Sequence, residues 1–174
     1  MKKILCGILA AAMAVSCVAC SSGKDYSEYG DKAVLEVENV TAKAGDKVEL
    51  DVYLNNNPGT STVGVELEFD ENVLTPVSIE ASGKLKGQGF FTTNLAEDEY
   101  GVFTGDDGAL VKGLWFNVSD WTDNGEVMTV TFEVAEDAAA GEYPITFIEN
   151  EDDLVNQDFE NVETVYLDGS VTIS

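Results

Sequence analysis

The chemistry open to this chain is bounded first by the side chains it lacks. It has no histidine, and its three cysteines, Cys6, Cys17 and Cys20, all lie in the N-terminal leader. Imidazole-dependent triads, thiol nucleophiles and the usual zinc sites are therefore excluded beyond that leader. What remains is carboxylate, with 33 Asp and Glu against 9 Lys and Arg and a formal net charge of −24. A carboxylate pair can hydrolyse a glycoside at the right separation, but at this density some pair meets that separation by chance, so no catalytic residue is singled out. Two acidic runs, Asp120-Trp-Thr-Asp-Asn-Gly-Glu126 and Glu149-Asn-Glu-Asp-Asp153, are the places where a cation could be held. The first lacks the alternating oxygen ligands and distal Glu of an EF-hand. Both read first as solvated turns, with calcium at either as the alternative, and no metal site is expected. The same acidity argues against nucleic acid or anionic lipid as partners and fits solubility or a basic partner face.

The stretch suited to binding is Leu110-Val-Lys-Gly-Leu-Trp-Phe-Asn117. If Trp115 packs inward with Val111, the opposite parity places Leu110, Lys112, Leu114 and Phe116 outward. An apolar strip rimmed by charge is what a protein-binding face requires, since apolar burial supplies affinity and the rim selects the partner. A covering loop or the reversed parity is the alternative, and the residues alone leave both open.

The elements that must position this strip are short alternating runs bounded by Gly, Asn, Asp and Pro. They are Ala33 to Val40, Lys47 to Leu54, Ser61 to Phe69, Val73 to Glu80, Phe90 to Leu95, Ala109 to Asn117, Glu126 to Val134, Glu142 to Ile148 and Val165 to Ile173. About nine strands with almost no helix predict an all-β fold, an antiparallel β-sandwich. Asp70 to Val73 is expected to carry a single helical turn. Parity predicts Val63, Val65, Leu67 and Phe69 in the core, with Thr62, Gly64, Glu66 and Glu68 on the other face. Met128, Val130, Phe132 and Val134 form a second core row, in which only Val127 breaks the alternation.

Met1 to Cys20 reads as an export signal, with Lys2 and Lys3 before the apolar run Ile4 to Val15. Cys17-Val18-Ala19-Cys20 followed by Ser21-Ser22-Gly23 resembles a bacterial lipobox, which makes Cys20 the expected lipidation site; Cys17 and an ordinary secretory signal are the alternatives. The expected organisation is a signal peptide over 1–20, a flexible tether over 21–31 and one domain over 32–174. The expected location is extracytoplasmic, lipid-anchored to the cell membrane. A cysteine-free domain there must be held by core burial and backbone pairing.

Asn55-Asn-Asn-Pro-Gly-Thr60, the strand Ser61 to Phe69, and Asp70-Glu-Asn-Val-Leu-Thr-Pro-Val-Ser78 together resemble the signature of a cohesin module. Asp137-Ala-Ala-Ala-Gly-Glu-Tyr-Pro-Ile-Thr-Phe147 and Asp168-Gly-Ser-Val-Thr-Ile173 are similar to the family's later strands. The resemblance runs from about Ala33 to Ser174 and implies a jelly-roll sandwich of nine strands. It also implies a non-catalytic protein that binds a dockerin-bearing partner on one flat sheet face, with calcium on the dockerin and none on this chain. Carried over by position, the partner-binding residues are Thr62, Gly64 and Glu66 on one strand and Lys112, Leu114, Phe116 and Asn117 on the next. Well-studied cohesins carry an Asn and an Asp where this chain has Thr62 and Gly64. Ala96 to Asp107 is an insertion-like stretch that could reshape the same surface. Two alternatives stand beside this reading. One is a carbohydrate-binding module presenting Phe90, Phe91, Tyr100 and Trp121 to a polysaccharide, and the other is an accessory lipoprotein whose sandwich acts as a spacer.

Overall fold

The computed structural model describes residues 24–95 and 109–174. The N-terminal segment with Cys17 and Cys20 and the whole Ala96 to Asp107 stretch, with Tyr100, lie outside the described residues. Twelve strands follow one another: β1 Ala33–Val37, β2 Asn39–Ala42, β3 Lys47–Asn55, β4 Thr60–Glu68, β5 Leu74–Ala81, β6 Phe90–Thr93, β7 Leu110–Trp121, β8 Gly125–Val134, β9 Gly141–Phe147, β10 Leu154–Val155, β11 Thr164–Leu167 and β12 Gly169–Ile173. The only helical pieces among the described residues are the short 3₁₀ turns Ser27–Tyr29 and Gly83–Leu85. The turn expected after β4 is present, closed by Leu74 N–H donating to Asp70 O at 2.9 Å.

The strands form two sheets packed face to face. One has the order β11-β1-β3-β8-β5, and the other the order β2-β12-β9-β4-β7-β6, with β10 beside β4. The all-β sandwich expected from the alternation is thus the observed fold. The strand count exceeds nine because the short β10 was not expected and because the first and last expected strands each divide, at Glu38 and Asp168, and pass from one sheet to the other. The two ends of the domain run together through this crossing. β1 pairs in parallel with β11 in the first sheet, and β2 in parallel with β12 in the second, while every other pairing between named strands is antiparallel.

The core between the sheets takes the rows that parity predicts. Val63, Val65 and Leu67 from β4 and Met128, Val130, Phe132 and Val134 from β8 are buried, and Phe69 meets Phe132 edge-on at 5.1 Å between ring centres. Each such large apolar side chain contributes roughly 1.5–3 kcal/mol by leaving water. Val127, which broke the alternation, is a bulge: Val52 pairs with Met128 and Tyr53 with Glu126, so Val127 has no partner opposite it. A second bulge, at Val77 between Pro76 and Ser78, interrupts the outer strand β5, where a proline and a bulge both discourage edge pairing.

Asn57 gives the Asn-Asn-Pro-Gly turn its structural meaning. Its side-chain amide donates to Trp121 O and Asp123 O, both at 2.9 Å, and its carbonyl accepts from Gly59 N–H at 3.0 Å. The β3–β4 turn is thereby fastened to the β7–β8 turn. Within 21–31, expected to be a flexible tether, the described residues Lys24 and Tyr26 make contacts with the domain. Lys24 and Tyr26 both bond to Glu36, and Asn56 donates to Tyr26 O at 3.1 Å. This covering explains why all five residues of β1, Glu36 included, are buried.

At the crossing, a Cβ on Gly169 would lie 2.7 Å from Val37 Cγ1 and 2.8 Å from Val37 O, and against Glu38 O. Only glycine lets the two end strands approach so closely. Gly169→Ala is expected to destabilise the domain by about 2 to 3 kcal/mol, read as a lower urea midpoint at unchanged slope. An unchanged midpoint would show that the crossing yields without cost.

Candidate partner-binding face

Three adjacent strands, β4, β7 and β6, build the face. Trp115 is 1% exposed and Val111 fully buried, so the inward parity of β7 holds. Trp115 is further fixed by its indole N–H, which donates to Gln88 O at 2.7 Å. The opposite parity sets Leu110, Lys112, Leu114 and Phe116 on the outer side, where Phe116 is 43% exposed.

Register brings the expected residues of the two strands side by side. Thr62 lies opposite Phe116, Gly64 opposite Leu114, and Glu66 opposite Lys112. Glu66 and Lys112 form an ion pair at 3.3 Å with both side chains largely covered. Their charges are directed at each other within the face. Asn117 departs from the row. Its side chain accepts from Val118 N–H at 2.8 Å, and from here β7 loops out, so that Thr60 pairs with Trp121 instead of the next residue in register.

Gly64 is withdrawn from solvent. Its N–H donates to Asp153 O at 2.6 Å, and a Cβ at this position would meet Asp153 Oδ1 at 3.0 Å. The backbone donor of Gly64 is therefore engaged within the chain and is not offered to a partner. Asp153 is itself buried, accepting from Tyr166 O–H at 2.8 Å and Asn150 N–H at 3.0 Å. Burial pushes its carboxyl above the usual range, with Tyr166 and Asn150 opposing that rise. The acidic run 149–153 thus shapes this edge of the face, and the other acidic run has similar uses: Asp120 Oδ1 accepts from Gln157 N–H at 2.7 Å, and Asp123 pairs with Lys84 at 2.9 Å.

Sequence reasoning did not place β6 on this surface. Phe90 lies opposite Phe116 and Thr92 opposite Leu114, and the two phenyl rings meet with centres 4.9 Å apart. The missing signal was pairing partner, because parity within Phe90–Thr93 alone does not say which strand it joins. Of the other aromatics considered for a glycan platform, Phe91 and Trp121 pack against the core cluster.

The outer side of the other sheet has a different character. Glu38, Asp51 and Glu126 lie near one another beside Tyr53, with Thr129 donating to Asp51 at 2.8 Å. Burial, reinforced by the charge of Glu126, raises the Asp51 carboxyl, and burial raises Glu38 as well. Burial and the three carboxylates push the Tyr53 hydroxyl up to about 12. One face of the sandwich is therefore a carboxylate cluster, and the other presents an aromatic and aliphatic strip.

A family model described as the cohesin domain matches residues 33–173. Among solved structures, the fold is similar to the OlpA cohesin in a type I cohesin–dockerin complex from Clostridium thermocellum, at 20% identity over 82% of this chain and 99% of that one, with a TM-score of 0.66. A non-cellulosomal cohesin from Archaeoglobus fulgidus is similar at 17% identity over 82% of this chain and 91% of that one, with a TM-score of 0.66. The OlpC cohesin of another Clostridium thermocellum cohesin–dockerin complex is similar at 19% identity over 82% and 94% of the two chains, also with a TM-score of 0.66. The search of curated proteins found no match.

A carboxyl raised by burial binds its proton more tightly in the folded chain than in the unfolded one. Its contribution to stability is full below the ordinary carboxylate range and is lost as pH rises through the raised folded value. The melting temperature is therefore expected to fall as pH rises from the ordinary carboxylate range through the raised values of Asp51, Glu38 and Asp153, at constant ionic strength. Asp51→Asn, which keeps an acceptor for Thr129, should raise the pH 7 melting temperature and flatten that slope; an unaltered slope would remove Asp51 from the account.

Proposed function

The chain belongs to the cohesin family, and on that premise we propose that it docks a dockerin-bearing protein on the outer face of β4, β7 and β6. The family is a non-catalytic protein–protein interaction module, and its members bind dockerins in cellulosomes. The observation that carries the assignment to this face is the outward strip of half-buried Leu114 and exposed Phe116, set in register beside Gly64 and Thr62 and flanked by the Glu66–Lys112 pair. Apolar area of this kind supplies affinity once a partner excludes water from it. The carboxylate cluster on the opposite sheet would instead have to be desolvated or met by many cations. Calcium in this reading belongs to the dockerin.

Thr62 and the engaged Gly64 offer the partner little hydrogen bonding, so contact with Leu114 and Phe116 carries most of the affinity. The bound partner would be a polysaccharide-degrading enzyme or a scaffold protein. Export and a lipid at Cys20 would hold the complex at the cell surface, as the leader sequence suggests.

Calorimetric titration against a panel of dockerins tests the docking face. Binding is expected with calcium and not with chelator, and Leu114→Asp should weaken it by at least about ten-fold. Chelator-insensitive binding, or full affinity in Leu114→Asp, would reject this mode. For the anchor, labelled palmitate incorporation is expected to vanish in Cys20→Ala; unchanged labelling would move the lipid to Cys17.

A further inference from the structure

Two large apolar side chains among the described residues are almost wholly exposed, Val118 at 94% and Phe159 at 91%. They sit on separate segments that converge at the Thr60–Thr62 end of β4. Val118 lies on the outward loop of β7 that begins directly after Phe116. Phe159 lies on the hairpin that follows β10, the strand paired with β4 at Thr62 and Val63. The segments are joined by Gln157 N–H donating to Asp120 Oδ1 at 2.7 Å.

The hairpin is firmly built. Val155 and Asn161 form a bridge across its base. Asn156 Oδ1 accepts from Asp158 N–H at 3.0 Å and Glu160 N–H at 2.9 Å, while Asn156 N–H donates to Glu160 O at 3.0 Å. Phe159 is held at φ +65°, a left-handed conformation unfavourable for a bulky residue. Both the backbone strain and the exposed ring cost the free chain stability, and a bound partner that covers the ring offsets the second cost.

We propose that Phe159, with Val118, is a second anchor of the docking face, gripping the same partner beyond the end of the β4–β7 strip. This rests on the docking face described above and extends it past Phe116 to the outward loop of β7 that carries Val118. The tip is bordered by the exposed carboxylates Asp158 and Glu160, so the partner surface that fits it is apolar and edged by lysine or arginine. A second copy of this chain would bring its own strong negative charge, and an anionic membrane would be repelled in the same way.

The test uses the full chain with Phe159→Asn, since asparagine accepts a positive φ, alongside Leu114→Asp and the same calcium-loaded dockerin panel. The melting temperature of Phe159→Asn should match or exceed that of the parent, showing that the hairpin is intact. Its affinity should fall by about ten-fold, mainly through faster dissociation. Loss of binding in Leu114→Asp with full affinity in Phe159→Asn would overturn the second anchor and leave the docking face standing. Full affinity in Leu114→Asp, or no binding by the parent chain to any dockerin, would overturn both.

Discussion

The close passage of the two chain ends past each other, Gly169 against Val37 and Glu38, is the constraint on which the rest of the sandwich depends. With no cysteine beyond Cys20, no disulfide joins the sheets. Besides the turns and loops that cross between them, the chain steps from one sheet to the other across a single residue at two neighbouring points, where β1 becomes β2 and β11 becomes β12. A parallel pair on each side of the crossing locks the two switches to one another. Because β12 then pairs with β9, and β9 with β4, the position of β4 is inherited from the crossing.

The outer face of β4, β7 and β6 follows from a second constraint, the burial of Trp115. Its ring is too large for the outer side to hold without exposing it, and its N–H finds a partner in Gln88 O. Once Trp115 points inward, period-two alternation sends Leu114 and Phe116 out. Gly64 and Asp153 show the same logic across β4. A glycine leaves room for a carboxylate from the next segment, and the site loses a solvent-facing group while gaining a firm edge.

The two outer faces divide the protein's chemistry. Carboxylates collect on the β3–β8 side, where burial and neighbouring negative charge raise the affinity of Asp51 and Glu38 for protons. On the β4–β7 side Glu66 and Lys112 pair with each other and apolar groups reach solvent. This division favours one face for macromolecular contact without any catalytic group, in keeping with a chain that has no histidine and no cysteine in its fold.

Much of this was legible in the sequence. Alternation identified most of the strands, the core rows of β4 and β8 and the break at Val127 that the structure shows to be a bulge, and residue types removed imidazole and thiol chemistry. The Asn-Asn-Pro-Gly turn and its neighbours pointed to the family. Other features were decided only by tertiary structure. Ala33 to Val40 reads as one strand, and nothing in its pattern says that it changes sheets at Glu38. Leu154-Val155 is too short to show a period, so β10 and the Asp153 contact with Gly64 stayed hidden inside an acidic run. Phe90 needed its partner strand, and Phe159 needed its turn, before either could be placed. The physical reason is common to all of these: side-chain period reports which way a residue points relative to its own strand, whereas strand partners and loop exposure are set by contacts between residues far apart in the chain.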